Sequence, residues 1–169
     1  MMYHEEFAGL CRALEGAGAF LAVKDAKGRS NVMTIGWAQV GNIWARPVMT
    51  VLVRPSRYTN SLLAGAGGFT VSVPRPGELT KELAFCGSRS GRDYDKARAC
   101  GLRLADGAAE GLVYVDGCRL VYHCRLAGSA PLDPSALPAE TLKRFYPGGF
   151  GGEPHTLYFG EIIKAESFR

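Results

Sequence analysis

Four polar clusters interrupt an otherwise apolar chain, and their residue types suit the holding of a flat ring and an anion. Asn31-Val-Met-Thr-Ile-Gly-Trp37 sets an Asn, a Thr, a Gly and a Trp inside a run that reads as a β-strand. Alternation puts Met33, Ile35 and Trp37 on one face and Thr34 and Gly36 on the other. A Gly within a strand often marks a place where a ligand comes close to the backbone. Exposed N–H and C=O groups there can meet the polar edge of a planar ring, with Asn31 or Thr34 adding a side-chain hydrogen bond. The plainer alternative is a core Trp37 and a Thr34 that merely fills the strand. Ser56-Arg-Tyr-Thr59 opens a short helical run. There Ser56 or Thr59 can cap an unpaired N–H, or the same N–H groups can join Arg57 in holding a phosphate.

Ser88-Arg-Ser-Gly-Arg-Asp-Tyr-Asp-Lys96 gathers two hydroxyls (Ser88 and Ser90), the flexible Gly91 and three cations ending in Lys96, around a helix start. It reads either as a solvated loop or as a second anion cluster. His155 follows a Gly-rich stretch and precedes the last strand, as a contact to the same ligand or as a surface residue. Cys86 stands at a helix end with no feature that assures a thiolate, so it is not read as a nucleophile. No Walker loop, G-x-S-x-G or H-E-x-x-H occurs, and neither Gly16-Ala-Gly18 nor Gly65-Ala-Gly-Gly68 completes G-x-G-x-x-G between a strand and a helix.

These clusters need a scaffold, and 169 residues with 47% hydrophobic content suffice for one domain, residues 1–169, with one core. The formal net charge of +4 is spread along the chain without a Lys/Arg block, which does not point to nucleic acid. No apolar run approaches the length of a membrane span and no signal peptide is apparent. The five Cys are odd in number and form no C-x-x-C pair, which suits reduced thiols in a cytoplasm and excludes the usual zinc spacings.

Periodicity predicts a helix over 3–16 and a strand over Phe20–Lys24. It then predicts a turn over 25–30, a second strand over Asn31–Val40 and a break at Gly41-Asn42. Pro47–Val53 reads as a strand buried on both faces, Tyr58–Ala64 as a helix and Phe69–Val73 as a strand. Glu78–Cys86 and Asp93–Cys100 read as helices. Asp116-Gly117 between Leu112–Val115 and Cys118–Leu126 predicts a hairpin. Residues 127–156 hold five of the nine Pro and read as a long connection with at most one helical turn before the strand Leu157–Lys164. Six or seven strands with few helices predict a mainly β fold, a closed or nearly closed antiparallel barrel with helices at its rim.

From about Phe20 to Lys164 the chain resembles the flavin reductase-like, FMN-binding split-barrel family, most closely its flavoredoxin-type branch. The resemblance rests on N-x-M-T-x-G-W at 31–37, R-x-T at 57–59, C-G-x-x-S-G-R-D-x-D-K at 86–96 and H-T-x-Y-x-G-E-I at 155–162, in the family's order. It implies a Greek-key split β-barrel with short peripheral helices, usually a homodimer, with FMN near the subunit interface. Carried over by position, Asn31, Met33, Thr34, Ile35, Gly36 and Trp37 would line the isoalloxazine. Arg57, Tyr58 and Thr59 would hold the phosphate end. Ser88, Ser90, Gly91 and Lys96 would close over the ribityl phosphate or ring edge, with His155 nearby. The implied activity is NAD(P)H-dependent flavin reduction, with the chemistry in the cofactor and no catalytic side chain or metal. Two alternatives stay open: an FMN electron carrier served by a protein partner, and a barrel that holds haem or another planar ligand.

Overall fold

The computed structural model of the protein describes residues 2–148 and 154–168. Among the described residues nine strands and five α-helices follow one another. The first half holds α1 (Phe7–Glu15), β1 (Ala19–Lys24), β2 (Ser30–Ile35), β3 (Ala38–Ile43), β4 (Arg46–Val53), α2 (Tyr58–Leu63) and β5 (Gly68–Val73). The second half holds α3 (Thr80–Ser88), α4 (Lys96–Ala99), β6 (Leu104–Asp106), β7 (Val113–Val115), β8 (Leu120–Pro131), α5 (Ala139–Phe145) and β9 (Thr156–Ser167). The mainly β expectation holds.

Seven strands form one antiparallel sheet in the order β2-β1-β5-β8-β9-β4-β3, and β6 pairs with β7 separately. Laid flat, the large sheet would keep its edge strands roughly 29 Å apart. Yet β2 and β3, its two edges, are consecutive in the chain and joined by Gly36 and Trp37 alone. The three peptide steps from Ile35 to Ala38 reach at most roughly 11 Å. The sheet therefore rolls until its edges meet, without hydrogen-bonding them to each other, which is a split barrel.

Alternation decides what fills it. Ala19, Leu21 and Val23 of β1 point inward with Met33, Ile35, Met49, Val51, Phe69, Val71 and Tyr122. Phe20 and Ala22, with Val32 and Val121, point outward onto Leu83 and Cys86 of α3 and onto Val113 and Val115. Strands β1 and β5 are consequently buried on both faces, as is most of β4.

Three expectations are corrected. The strand predicted over Asn31–Val40 is two strands that break at Gly36-Trp37, and Gly41-Asn42 lies inside β3, paired with Val48 and Pro47. The turn comes later, at Trp44 and Ala45, both with positive φ (55° and 56°). The Asp116-Gly117 hairpin does not form: β7 pairs with β6. Buried hydroxyls on β5 explain this. Thr70 Oγ1 donates to the Val113 carbonyl at 2.7 Å, and Ser72 Oγ accepts from the Val115 N–H at 3.2 Å, which ties β7 across the outside of the barrel. Lastly, β8 runs on to Pro131 and α5 occupies 139–145, so the long connection is more structured than predicted. Residues 149–152 of its Gly-rich stretch lie outside the described residues.

The Trp44-Ala45 turn gives a stability test. Ala45→Gly relieves a left-handed alanine of roughly 1 kcal/mol but adds freedom to the unfolded chain, for a net gain of about 0.5 kcal/mol. A thermal melt should show a higher midpoint, and a lower one would mean that the turn does not hold this geometry.

Candidate functional site

The break at Gly36-Trp37 exposes both residues where the barrel edges meet. A cavity of about 180 Å³ opens there, lined by Met33, Thr34, Ile35, Gly36, Trp37, Leu52, Arg54, Arg57 and His155. Strand β2 pairs only with β1 within its sheet, so its other edge keeps backbone N–H and C=O groups unused by the sheet. A second cavity of about 160 Å³ is lined by Asn31, Ser56, Arg57, Tyr58, Ser88, Arg89, Ser90, Gly91 and Lys96. Arg57 lines both, so the two cavities adjoin at its side chain, and the second is the more cationic of the two, with Arg57, Arg89 and Lys96.

The side chains do different work from their backbones. Met33 and Ile35 are core residues, so their backbone can border the first cavity while their side chains anchor β2. Thr34 Oγ1 donates to the Leu83 carbonyl at 2.5 Å and pins the strand to α3. Gly87 packs there, since a Cβ on it would come 3.3 Å from Thr34 Cβ. Trp37, 39% exposed, stands clear of the core, edge-on to Phe145 at 5.2 Å and tilted against His155 at 5.0 Å between ring centroids.

Asn31 is buried, and its Nδ2 donates to Thr59 Oγ1 at 2.8 Å. Thr59 therefore lies beneath Asn31 and lines neither cavity. The capping expectation is also corrected: the N-cap of α2 is Arg57, and it makes no side-chain cap bond. Ser88 Oγ donates back to the Ala84 carbonyl at 2.8 Å, and Ser90 Oγ accepts from the Arg92 N–H at 3.1 Å. Arg92 in turn donates to the Ser56 carbonyl at 3.0 Å and lies over the Tyr58 ring, closing the 88–92 segment onto the start of α2.

The electrostatics are one-sided. Among the described residues no carboxylate lines either cavity. The half-buried Arg57 guanidinium makes no hydrogen bond or ion pair among them, and burial followed by repulsion from Arg54 lowers its pKa. Lys96 is buried, with Nζ donating to the carbonyls of Cys86 at 2.9 Å and Arg89 at 3.3 Å; burial pulls its pKa down to about 8, against an opposing pull from Cys86. His155 is brought to about 4 by burial, then by Arg54 and Arg57. Cys86 is pushed up to about 12, chiefly by burial, which leaves it inert as a nucleophile.

Lys96 makes the site pH-sensitive in two opposite ways. Its folded pKa, about 8, lies below its ordinary 10.5, so between those values the unfolded chain binds more protons and stability rises with pH. Below pH 8 both states are protonated and the burial penalty stands in full. An anion held by the ammonium should instead bind more weakly as pH rises through 8. Melting midpoints and anion affinity across pH 7 to 10.5 should diverge in this way, and Lys96→Met should flatten both curves.

Sequence reasoning missed Leu52 and Arg54 as lining residues, read Ser56 only as a cap and Arg89 only as one cation of its cluster, and gave no role to Phe145 and Tyr146. Arg54 donates to the Phe145 carbonyl at 2.9 Å and lies 5.1 Å over the Tyr146 ring. A second Arg three residues before Arg57, at the end of a buried strand, was the available signal. His123 takes no part: Nε2 bonds Glu166 at 3.0 Å and Nδ1 accepts from the Ala108 N–H at 3.2 Å. No helix among the described residues is long and apolar enough to cross a membrane.

Residues 13–168 match the family description "Flavin reductase like domain". An uncharacterized protein of Archaeoglobus fulgidus is 28% identical over 135 residues, 80% of this chain and 64% of that protein. The chain thus spans less than two thirds of that relative's length. Flavoredoxin from Methanosarcina acetivorans superposes with a TM-score of 0.69 at 25% identity, covering 89% of this chain and 68% of that one. An FMN-binding domain of a flavin reductases-like enzyme from Shewanella baltica gives 0.64 at 24%, covering 94% and 72%.

Proposed function

Because this chain belongs to the flavin reductase like domain family, we propose that it is an FMN-binding oxidoreductase of the flavin reductase type, drawing electrons from NADH or NADPH. The observation that carries the reading is Arg57: a half-buried cation with no acidic partner among the described residues, at the junction of a ring-sized cavity and a cluster of cations and hydroxyls. An uncompensated, partly desolvated charge is costly unless an anion joins it. A phosphate tethered to a planar ring suits both ends of the site.

When bound, FMN supplies the hydride-accepting and electron-passing chemistry. The chain's part is to bind and orient. The free edge of β2 offers N–H and C=O groups to the polar rim of a flat ring, and Trp37 walls one side. Arg57, Arg89 and Lys96 surround the anionic end. The cations near the ring cavity, Arg54 and Arg57, also favour a ring that gains negative charge on reduction. No side-chain acid or base is required, in keeping with a His155 that stays neutral down to about pH 4.

A second reading has support from the likeness to a flavoredoxin: an FMN electron carrier reduced by a protein partner. Both readings include a homodimer, with the exposed Trp37 and Trp44 as surfaces for a second copy. The test is the visible spectrum of the purified protein with added FMN, followed by NADH and NADPH oxidation. FMN retention with donor oxidation supports the reductase. Retention without it selects the carrier, and a protein that neither binds FMN nor oxidises either donor overturns both.

A further inference from the structure

The His155 imidazole, which lines the ring cavity, has a buried partner in Tyr146. Tyr146 Oη lies 2.8 Å from His155 Nδ1, with the rings edge-on at 73°. Each residue is 8% exposed. The hydroxyl has no other partner among the described residues, and neither has His155 Nε2. We propose that Tyr146 is a positioning residue that fixes His155 as the Nε2–H tautomer, so that the imidazole offers the ring cavity a permanent hydrogen-bond donor for a carbonyl or carboxamide oxygen.

The argument is one of hydrogen-bond accounting. A hydrogen on Nδ1 would make the imidazole the donor and leave the buried phenolic proton without an acceptor, which is costly. With the phenol donating, Nδ1 accepts, and the ring proton must sit on Nε2. Arg54 reinforces the arrangement: its guanidinium lies over the Tyr146 ring at 5.1 Å, favours electron density in that ring and, through its bond to the Phe145 carbonyl, holds the end of α5 in place. Among the described residues, the groups that bear on His155 are the cations Arg54 and Arg57, the phenol of Tyr146 and the uncharged Trp37, with no carboxylate. Burial and the two cations disfavour an imidazolium, so the donor is neutral. Such a group donates to a ring oxygen or a carboxamide oxygen without adding charge to a site already rich in it. The choice of ligand oxygen rests on the FMN reading; the tautomer does not.

Nitrogen-15 NMR of the FMN-free full chain, labelled in its three His, reads the tautomer directly, with His155→Gln identifying the His155 resonances by their loss. In the wild type, Nδ1 in the unprotonated range and Nε2 in the protonated range, unchanged from pH 8 to pH 5, are expected. Nδ1 in the protonated range, or both nitrogens at averaged values, overturns the proposal without any variant having to fold. In Tyr146→Phe the two shifts should move toward each other as both tautomers become populated, whereas a tautomer unaltered by that change would show that Tyr146 does not set it. Added FMN should shift Nε2 in the wild type and bind about 2- to 10-fold more weakly to Tyr146→Phe, the loss of one oriented hydrogen bond. An Nε2 resonance unmoved by saturating FMN overturns the ligand contact and leaves the tautomer assignment standing.

Discussion

Arg57→Ala should weaken FMN binding about 10- to 100-fold, the range for losing charge-assisted hydrogen bonds, while the ligand-free protein melts at the same temperature or higher. The two signs have one cause. Without ligand, Arg57 is partly desolvated, repelled by Arg54, and has no anionic partner among the described residues. Its removal therefore costs the free protein little and relieves a repulsion. With ligand, the guanidinium gains an oxyanion that it can meet with two N–H groups. Arg57→Lys should fall between, since an ammonium keeps the charge but loses the planar fork. Titration of FMN by fluorescence, with melts recorded with and without FMN, separates these cases. Unchanged FMN affinity in Arg57→Ala would sink the phosphate assignment, and a large drop in the melting point of the free protein would show that Arg57 serves the fold.

Gly91→Ala should be damaging in both states. A Cβ at Gly91 would lie 2.2 Å from Asn31 Oδ1 and 2.7 Å from Tyr58 Cδ1. Asn31 cannot swing away without leaving Thr59 Oγ1, in a place where both side chains are buried. Tyr58 is held beneath the Arg92 guanidinium. The 88–92 segment must therefore lift, taking Ser90 and the Arg92 bond to the Ser56 carbonyl with it. Overpacking of this kind costs about 1–3 kcal/mol. Because the displaced segment is one wall of the cationic cavity, FMN affinity should fall by at least about 10-fold, as expected when a binding group moves by an ångström or so. An alanine variant with wild-type melting and affinity would mean that Gly91 is not packed on Asn31 in solution.

Gly91 and Arg57 show how much of the site was legible beforehand. Both belong to segments whose residue types announce an anion, and the structure brings those segments together around Arg57. Thr59 belongs to the same motif, yet it is buried with its hydroxyl oxygen accepting from Asn31 and lines neither cavity. The motif identifies the segment; only the packing tells which member faces the ligand. Arg54 and Tyr146 illustrate the opposite case. Tyr146 has no local pattern and Arg54 only its spacing from Arg57, and they meet because α5, in a stretch that reads as a Pro-rich connection, folds back to the end of β4.

What the amino-acid order determined by itself was local: the short apolar runs of β1, β4 and β5, the turn at 25–30, α1 and the helices that flank residues 88–96, and the family to which four short motifs belong. These follow from interactions within a few residues, where side-chain type and spacing decide. What only the tertiary structure decided was pairing and closure. Asp116-Gly117 turns the chain, but the buried hydroxyls of Thr70 and Ser72 choose the place of β7. Asn31–Val40 reads as one strand, but the rolling of the sheet requires it to leave one edge and enter the other at Gly36-Trp37. That crossing opens the ring cavity. It depends on contacts far apart along the chain, whose free energies no local pattern records.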